Sequence, residues 1–412
     1  MEKLNLLDLT FAGYGSIIGI TIFSLLPYII RYSGGRVWMA FLIGGIISML
    51  TGLSYARLTL DNSSNDSEFV WIMDTFGVKG DDETSRRRNK YVKWFANIVI
   101  WFIVLLGITM NSTIVVGATK FINIYKHNIP DFITNFGIIA LPTLINMLGV
   151  GTMSTLNIGI TSLITFGLLT LVGIAGKYHT YAKDLTLLSG GSDMIKAIFM
   201  TILPFNGFQS VAHLGESANK ITDIPKGIIG SLSSAIIVYV AVAAATVAII
   251  GVKAGGLSVS PIADAYSTMF GHGGSNIVNA LAIGNALPTL LILIYSRANI
   301  ITSLANKKSA PGIFKNINLS LIIVGVLTYI CTFAPGDALE VLTNTTNIIT
   351  VSVFSIINGI VLYKYHNNKW VKPLDDPKDE RMIASFKKMY PYYAVLGVIV
   401  SIMLMGKLAL GK

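Results

Sequence analysis

Long stretches of mostly apolar residues recur along the whole chain and are separated by short polar segments. A helix needs roughly 20 mostly apolar residues to cross the hydrocarbon core of a bilayer. Eleven stretches fit this requirement, at residues 8–31, 37–58, 92–119, 131–149, 154–176, 193–214, 227–251, 277–304, 317–334, 338–363 and 390–410. The first apolar run is too long for a cleavable signal peptide. The pattern predicts an all-α integral membrane protein with about 11 transmembrane helices.

The polar segments between these spans are unequally charged. If the N-terminus lies inside, the segments on that side carry 21 of the 31 Lys and Arg residues, including the run Arg86, Arg87 and Arg88. Cytoplasmic loops of membrane proteins carry such an excess of basic residues. The two longest polar insertions, 57–93 and 364–389, then lie in the cytoplasm, and 185–192 and 271–274 form external loops. The net charge of +10 therefore reflects topology and does not indicate nucleic acid binding.

Composition narrows the class of protein further. Only 13% of the residues are charged and mean hydropathy is +0.65, whereas soluble domains carry roughly 25% charged residues. The one cysteine, Cys331, excludes disulfides within the chain and cysteine metal sites. The five histidines are scattered and form no metal-spaced pair, so we expect no metal, no cofactor and no enzymatic activity. The expected partners are the lipid bilayer and a small solute.

Two spans contain residues that interrupt helices. The first contains Gly13, Gly15 and Gly19, and the sixth contains Pro204 followed by Gly207. Broken backbone at mid-bilayer is tolerated where protein or a water-filled cavity satisfies it. Glycines can also serve close helix packing, and a proline can make an ordinary kink. Two interrupted spans five spans apart favour the binding site of an inverted-repeat transporter.

At these residues the chain resembles the amino acid–polyamine–organocation transporters. The first span reads Gly15-Ser16-Ile17-Ile18-Gly19-Ile20-Thr21-Ile22-Phe23, the sixth reads Phe205-Asn206-Gly207-Phe208-Gln209, and the eighth ends in Tyr295-Ser296-Arg297. The resemblance extends over residues 8–363. It implies a five-plus-five inverted repeat with broken helices 1 and 6. The repeats would occupy residues 1–176 and 193–363, and one additional helix would occupy 390–410.

Backbone dipoles at the two breaks can hold a zwitterion. A half-helix N-terminus attracts a carboxylate, and released carbonyl groups accept hydrogen bonds from an ammonium group. The candidate substrate-binding residues are Gly15, Ser16, Ile17, Gly19, Thr21, Leu203, Phe205, Asn206 and Gly207. Because the spans contain few ionisable residues away from their ends, a neutral amino acid is favoured. The alternatives are a polyamine or another organic cation and, in a different class, a non-transporting sensor or a channel.

The chain departs from the family pattern at positions that affect binding and coupling. Thr21 stands where relatives have glycine, which narrows the site, and Leu203 stands where they often place an aromatic gate. Gln209 replaces a glutamate and cannot titrate. The coupling candidates are therefore Gln209, His213, Asn285 and Thr289. Proton coupling, sodium coupling and plain exchange remain open for a symporter or antiporter in the plasma membrane.

Overall fold

The computed structural model describes residues 3–124, 129–186, 193–368, 370 and 391–410. In the first half of the chain these residues form helices α1 (Leu6–Ile17), α2 (Thr21–Ser33), α3 (Val37–Asp61), α4 (Ser67–Phe76), α5 (Glu83–Ile122), α6 (Asp131–Asn146) and α7 (Val150–Ala175). In the second half they form α8 (Met194–Phe205), α9 (Asp223–Leu257), α10 (Pro261–Phe270), α11 (His272–Asn306), α12 (Ile317–Cys331), α13 (Ala338–His366) and α14 (Tyr392–Leu410). A ten-residue 3₁₀ helix, Phe208–Ser217, follows α8.

All eleven predicted spans lie on helices, which confirms the all-α fold. Across the described ranges, six stretches are long and apolar enough to cross a membrane: Thr21–Asp61, Glu83–Ile122, Val150–Ala175, Asp223–Leu257, Gly273–Asn306 and Ala338–His366. The shorter apolar helices α12 and α14 correspond to the ninth and eleventh spans. The first and sixth spans are each divided, into α1 and α2 and into α8 and the Phe208–Ser217 segment.

Helix α9 organises the packing around the two divided spans. It lies against α1, α2, α3 and α7, and it also contacts the Phe208–Ser217 segment. Small residues permit the close approach, because a Cβ atom at Gly13 of α1 would lie 2.6 Å from Ser231 Oγ of α9. At its start α1 is fixed by a capping box, in which Asn5 accepts from the N–H of Asp8 and Asp8 accepts from the N–H of Asn5.

The polar insertion 57–93, which its charge assigns to the cytoplasm, is largely helical and partly buried. It contains α4 and the first part of α5, and Trp71 and Ile72 of α4 are fully buried. Of the predicted external loop 271–274, residues 272–274 already belong to α11. Of the predicted external loop 185–192, residues 187–192 lie outside the described residues. Apolar spacing within 57–93 produces a helix whose inner face packs against the bundle.

The predicted topology can be tested by cysteine labelling. In a Cys331→Ser background, Thr84→Cys should be protected from an impermeant thiol reagent added outside intact cells. Thr180→Cys should react, because 177–182 follows the fifth span on the outer side. Both side chains are exposed in the protein, so accessibility reports the side of the membrane. Labelling of Thr84→Cys together with protection of Thr180→Cys would contradict the prediction and show the opposite orientation in the membrane.

Candidate functional site

The first break separates α1 from α2 at residues 18–20. The N–H of Ile18 bonds to Tyr14 O at 2.7 Å, the N–H of Gly19 bonds to Ile17 O at 2.7 Å, and α2 begins at Thr21. No side chain caps the N-terminus of α2 at Ile20, although Thr21 is buried. A buried helix start with free N–H groups is a ready site for an anion. The break predicted at residues 16–19 is confirmed and lies slightly later in the chain.

The glycines of the first span have separate roles. Gly13 and Gly15 lie inside α1, and a Cβ atom at Gly15 would overlap Asn157 Oδ1 of α7. Only Gly19 lies in the break itself. A Cβ atom there would lie 3.0 Å from Thr289 Oγ1 of α11, so Gly19 is packed closely against that side chain. Close packing within the bundle therefore explains the glycines at 13 and 15, and the close approach to Thr289 explains the glycine in the break.

The second break follows Pro204 and Phe205 at the end of α8. Asn206 is extended, with φ −66° and ψ 149°, and Gly207 has φ +124°. A side chain is strained at that φ, which explains the glycine. The chain then continues as the Phe208–Ser217 segment. The break predicted at residues 205–207 is confirmed.

The two breaks meet in space. Ser16 Oγ lies 3.0 Å from Gly207 O and 2.8 Å from Gly13 O, so its single O–H proton is shared between the two carbonyl groups. Ser210 Oγ lies 2.5 Å from Gly207 O and 3.2 Å from Ser16 Oγ. Tyr239 of α9 completes the junction, because its hydroxyl donates to Ile17 O at 2.5 Å. The junction therefore combines backbone groups from both breaks with three hydroxyl groups.

Amide side chains hold the second break in place. Gln209 Oε1 accepts from the N–H of Gly207 at 3.0 Å, and Gln209 Nε2 donates to Asn206 Oδ1 at 3.2 Å. Asn206 Nδ2 in turn donates to Thr350 Oγ1 of α13 at 2.5 Å. The coupling candidate Gln209 is thus fully engaged in fixing the backbone around Gly207.

The remaining candidates divide between packing and polar contacts. Leu203 is buried in α8, and the Phe205 ring packs against Tyr239 at a centroid distance of 5.3 Å. Thr289 Oγ1 donates to Gly15 O at 3.0 Å, which ties α11 to α1. Asn285, one turn earlier on α11, is fully buried, and neither amide atom has a hydrogen-bond partner among the described residues. Thr289 therefore makes an interhelical hydrogen bond, whereas Asn285 retains its bonding capacity.

His213 belongs to a separate cluster farther along the Phe208–Ser217 segment. Its Nε2 lies 2.9 Å from both carboxylate oxygens of Glu68 on α4. Its Nδ1 lies 2.9 Å from Ser296 Oγ and 3.0 Å from Arg297 Nη1, both on α11. Tyr55 of α3 donates to Glu68 at 2.9 Å. The structure thus separates His213 from the junction of the two breaks and surrounds it with ionisable groups.

Sequence reasoning misses Glu68, Arg297 and Tyr239 as functional candidates. In the sequence, Arg297 belongs to the motif that ends the eighth span, and Glu68 lies in the polar insertion 57–93. A signal is present at Glu68, because the acid precedes the apolar run Phe69-Val70-Trp71-Ile72. Burial raises the pKa of Glu68, but its contacts with His213 and the hydrogen bond from Tyr55 outweigh the effect of burial. The resulting pKa lies below the ordinary value, so Glu68 is ionised at neutral pH.

Comparison with known proteins identifies the family. A family model described as amino acid permease matches residues 4–409, nearly the whole chain. The chain belongs to the amino acid permease family. Its relatives are transporters and not enzymes, and the permease is a multi-pass membrane protein. The predicted resemblance to the amino acid–polyamine–organocation transporters is therefore confirmed.

Several curated relatives cover most of the permease at low identity. Inner membrane transport protein YbaT of Escherichia coli is 25% identical, over 86% of this chain and 83% of the relative. Branched-chain amino acid permease BcaP of Bacillus subtilis is 22% identical, over 88% and 80%. The vacuolar cationic amino acid transporter 8 of Arabidopsis thaliana is 23% identical, over 89% of this chain and 63% of the relative. The relatives support amino acid transport and differ in the substrates that their names state.

Proposed function

We propose that the permease is a secondary active transporter that moves neutral amino acids across the plasma membrane by alternating access. The observation that carries this proposal is the contact between the two breaks, with Ser16 Oγ donating to Gly207 O at 3.0 Å. Two inverted repeats, residues 1–176 and 193–363, would rock against each other around this junction, with 390–410 as an additional helix.

Recognition of the substrate would use the opposite polarity of the two breaks. The uncapped N-terminus of α2 at Thr21 offers N–H groups and a positive helix end to the substrate carboxylate. The C-terminal end of α8 and the carbonyl groups near Gly207 would accept hydrogen bonds from the substrate ammonium group. Thr21 and Ser16 add hydroxyl groups to this site. A zwitterion would thus be held by groups that carry no net charge.

The choice of a neutral substrate rests on the candidate binding residues, because none of them has an ionisable side chain. Burying the extra cation of a lysine, arginine or polyamine in a membrane site favours a paired carboxylate. The relatives' names include both a cationic and a branched-chain substrate and so leave both classes to be tested.

The candidate modes of coupling are exchange, sodium symport and proton coupling. A sodium site would draw on Asn285, whose amide oxygen has no hydrogen-bond partner among the described residues, together with Thr289 and backbone oxygens of α1. Proton coupling would use His213, since Gln209 carries no titratable group. His213 is the candidate that has ionisable partners.

Counterflow in proteoliposomes tests the function. Vesicles loaded with unlabelled leucine or alanine should take up the same labelled amino acid transiently above equilibrium, because a shared carrier site alternates between the two sides. Arginine and putrescine loaded in parallel should stimulate much less. A channel would equilibrate label without counterflow, and a non-transporting sensor would show no uptake above empty vesicles. Counterflow with putrescine and none with leucine or alanine would contradict a neutral amino acid substrate and indicate a polyamine transporter.

A further inference from the structure

Three helices bring ionisable side chains to His213 of the Phe208–Ser217 segment, at the end of the permease assigned to the cytoplasm. Glu68 comes from α4, Tyr55 from α3 and Arg297 from α11, and the side chains of Glu68, His213 and Arg297 are each 0% exposed. Helices α1 and α9 also pack against the segment. Their ionisable residues at this end are Asp8, which bonds to Ser154 and Asn5, and Asp223 with the exposed Lys226.

The contact with Arg297 indicates one protonation state of the cluster, in which Ser296 Oγ, 2.9 Å from the same Nδ1, also donates to the imidazole. A guanidinium group has donors and no acceptor, so Arg297 Nη1 must donate to His213 Nδ1. The imidazole then carries its proton on Nε2 and donates it to Glu68. In this state an anion and a cation flank a neutral imidazole, and the buried cluster has no net charge.

Binding one further proton removes this balance. A proton on His213 Nδ1 would make this nitrogen a donor that faces the donor Arg297 Nη1 at 3.0 Å. It would also place the imidazolium and guanidinium charges in contact. On Glu68 it would leave the Arg297 cation without a buried counter-charge. Arg297 cannot retreat toward α5, because its guanidinium and stem lie against Gly107, where even a Cβ atom would overlap Nε. Either site of protonation therefore favours separation of the Phe208–Ser217 segment from α11, since an uncompensated buried charge is strongly destabilising.

Movement of this segment would be transmitted to the substrate junction. The segment begins directly after Gly207, and Ser210 connects it to Gly207 O and to Ser16. A 3₁₀ helix of ten residues is unusually long, and such stretches often mark a functional hinge or strain. The far end is paired with the N-terminus, because Leu4 N–H donates to Ser217 O at 2.8 Å. Both broken spans would thus respond to separation at Arg297.

We infer that Glu68 and His213 form the proton-binding site of the transport cycle, with Arg297 as the fixed cation that makes proton binding open the cytoplasmic side. This inference rests on the proposed function. In an uptake cycle a proton from the outside would bind the cluster while the cytoplasmic side is closed, and the cluster would then open. After releasing the proton into the cytoplasm, the deprotonated cluster would close again. Glu68, His213 and Arg297 are positioning and coupling residues and do not touch the substrate.

Proteoliposomes containing the full chain separate coupling from exchange. The probe is labelled leucine or, if leucine does not exchange, the amino acid of the counterflow panel that exchanges fastest. Under an inward gradient of one pH unit, wild-type protein should accumulate substrate up to about tenfold, the limit for one proton per substrate. His213→Gln should reduce accumulation to about onefold while counterflow persists. A glutamine can accept from Arg297 and donate to Glu68, so it preserves the contacts without titrating.

Controls distinguish loss of the proton site from general damage. Glu68→Gln should show the same loss of accumulation. Asp66→Asn removes a neighbouring buried carboxylate, paired with Lys307 at 2.6 Å, and should still accumulate substrate. Accumulation by His213→Gln equal to wild type would overturn the inference, as would wild-type protein that exchanges substrate but never accumulates it under the pH gradient. That wild-type measurement decides even if both variants fail to fold. Absence of wild-type counterflow with any amino acid would instead contradict the proposed function.

Discussion

Gly207→Ala should reduce transport by on the order of tenfold or more. The backbone at Gly207 has φ +124°, and a Cβ atom there would lie 2.6 Å from Ser16 O and 2.8 Å from Ser16 Oγ. Strain in such a conformation costs about 1–3 kcal/mol, and relieving the contact separates the two breaks that form the proposed site. Because 1.36 kcal/mol corresponds to tenfold in rate, initial rates of counterflow report the effect directly.

A matched substitution at a helical glycine separates the effect of the site from that of an added methyl group. Gly159 lies inside α7, and a Cβ atom there would have no neighbouring atom within 4 Å, so Gly159→Ala should leave transport unchanged. Alanine should also favour that helix slightly. Similar losses in the two variants would show that the junction of the breaks has no special role.

Asp61→Asn should cause a large loss of stability. Asp61 lies between two buried cations, at 2.9 Å from Arg57 Nη1 and 3.2 Å from Lys364 Nζ, and joins the end of α3 to the end of α13. Trp370 covers the cluster, with the Arg57 guanidinium 3.9 Å from its ring centroid. Removing the anion from a buried pair costs about 3–5 kcal/mol, because the cations remain buried without compensation. Thermal unfolding in detergent should show a clearly lower midpoint.

An exposed ion pair provides the control for this substitution. Lys120 and Asp337 lie 3.0 Å apart, but both side chains are 42% exposed. Exposed pairs contribute about 0–1 kcal/mol, so Asp337→Asn should barely shift the midpoint. A shift as large as that of Asp61→Asn would show that burial does not determine the contribution of these pairs.

The sequence by itself determined the apolar spans and the two breaks. Each membrane-spanning helix satisfies its backbone hydrogen bonds within itself and presents apolar side chains to lipid or protein. The length and hydropathy of a segment therefore suffice to locate such a helix in the sequence. The same holds for the breaks at Gly19 and Gly207, because glycine and proline act on the local backbone wherever the chain places them. The family motifs around Ser16 and Asn206 then indicated the transporter class.

Only the tertiary structure decided which polar groups meet. Gly13 and Gly15 permit close packing against α9 and α7, although the sequence alone does not distinguish them from Gly19 in the break. Glu68, His213 and Arg297 come from segments far apart in sequence, and His213 is the one of the three that the sequence identifies as a coupling candidate. The burial and pairing of charges depend on how helices that are far apart in sequence pack together. The apolar periodicity of each helix does not determine this packing. The proposed proton-binding cluster therefore arises from the packing of α4 and α11 around the continuation of a broken helix.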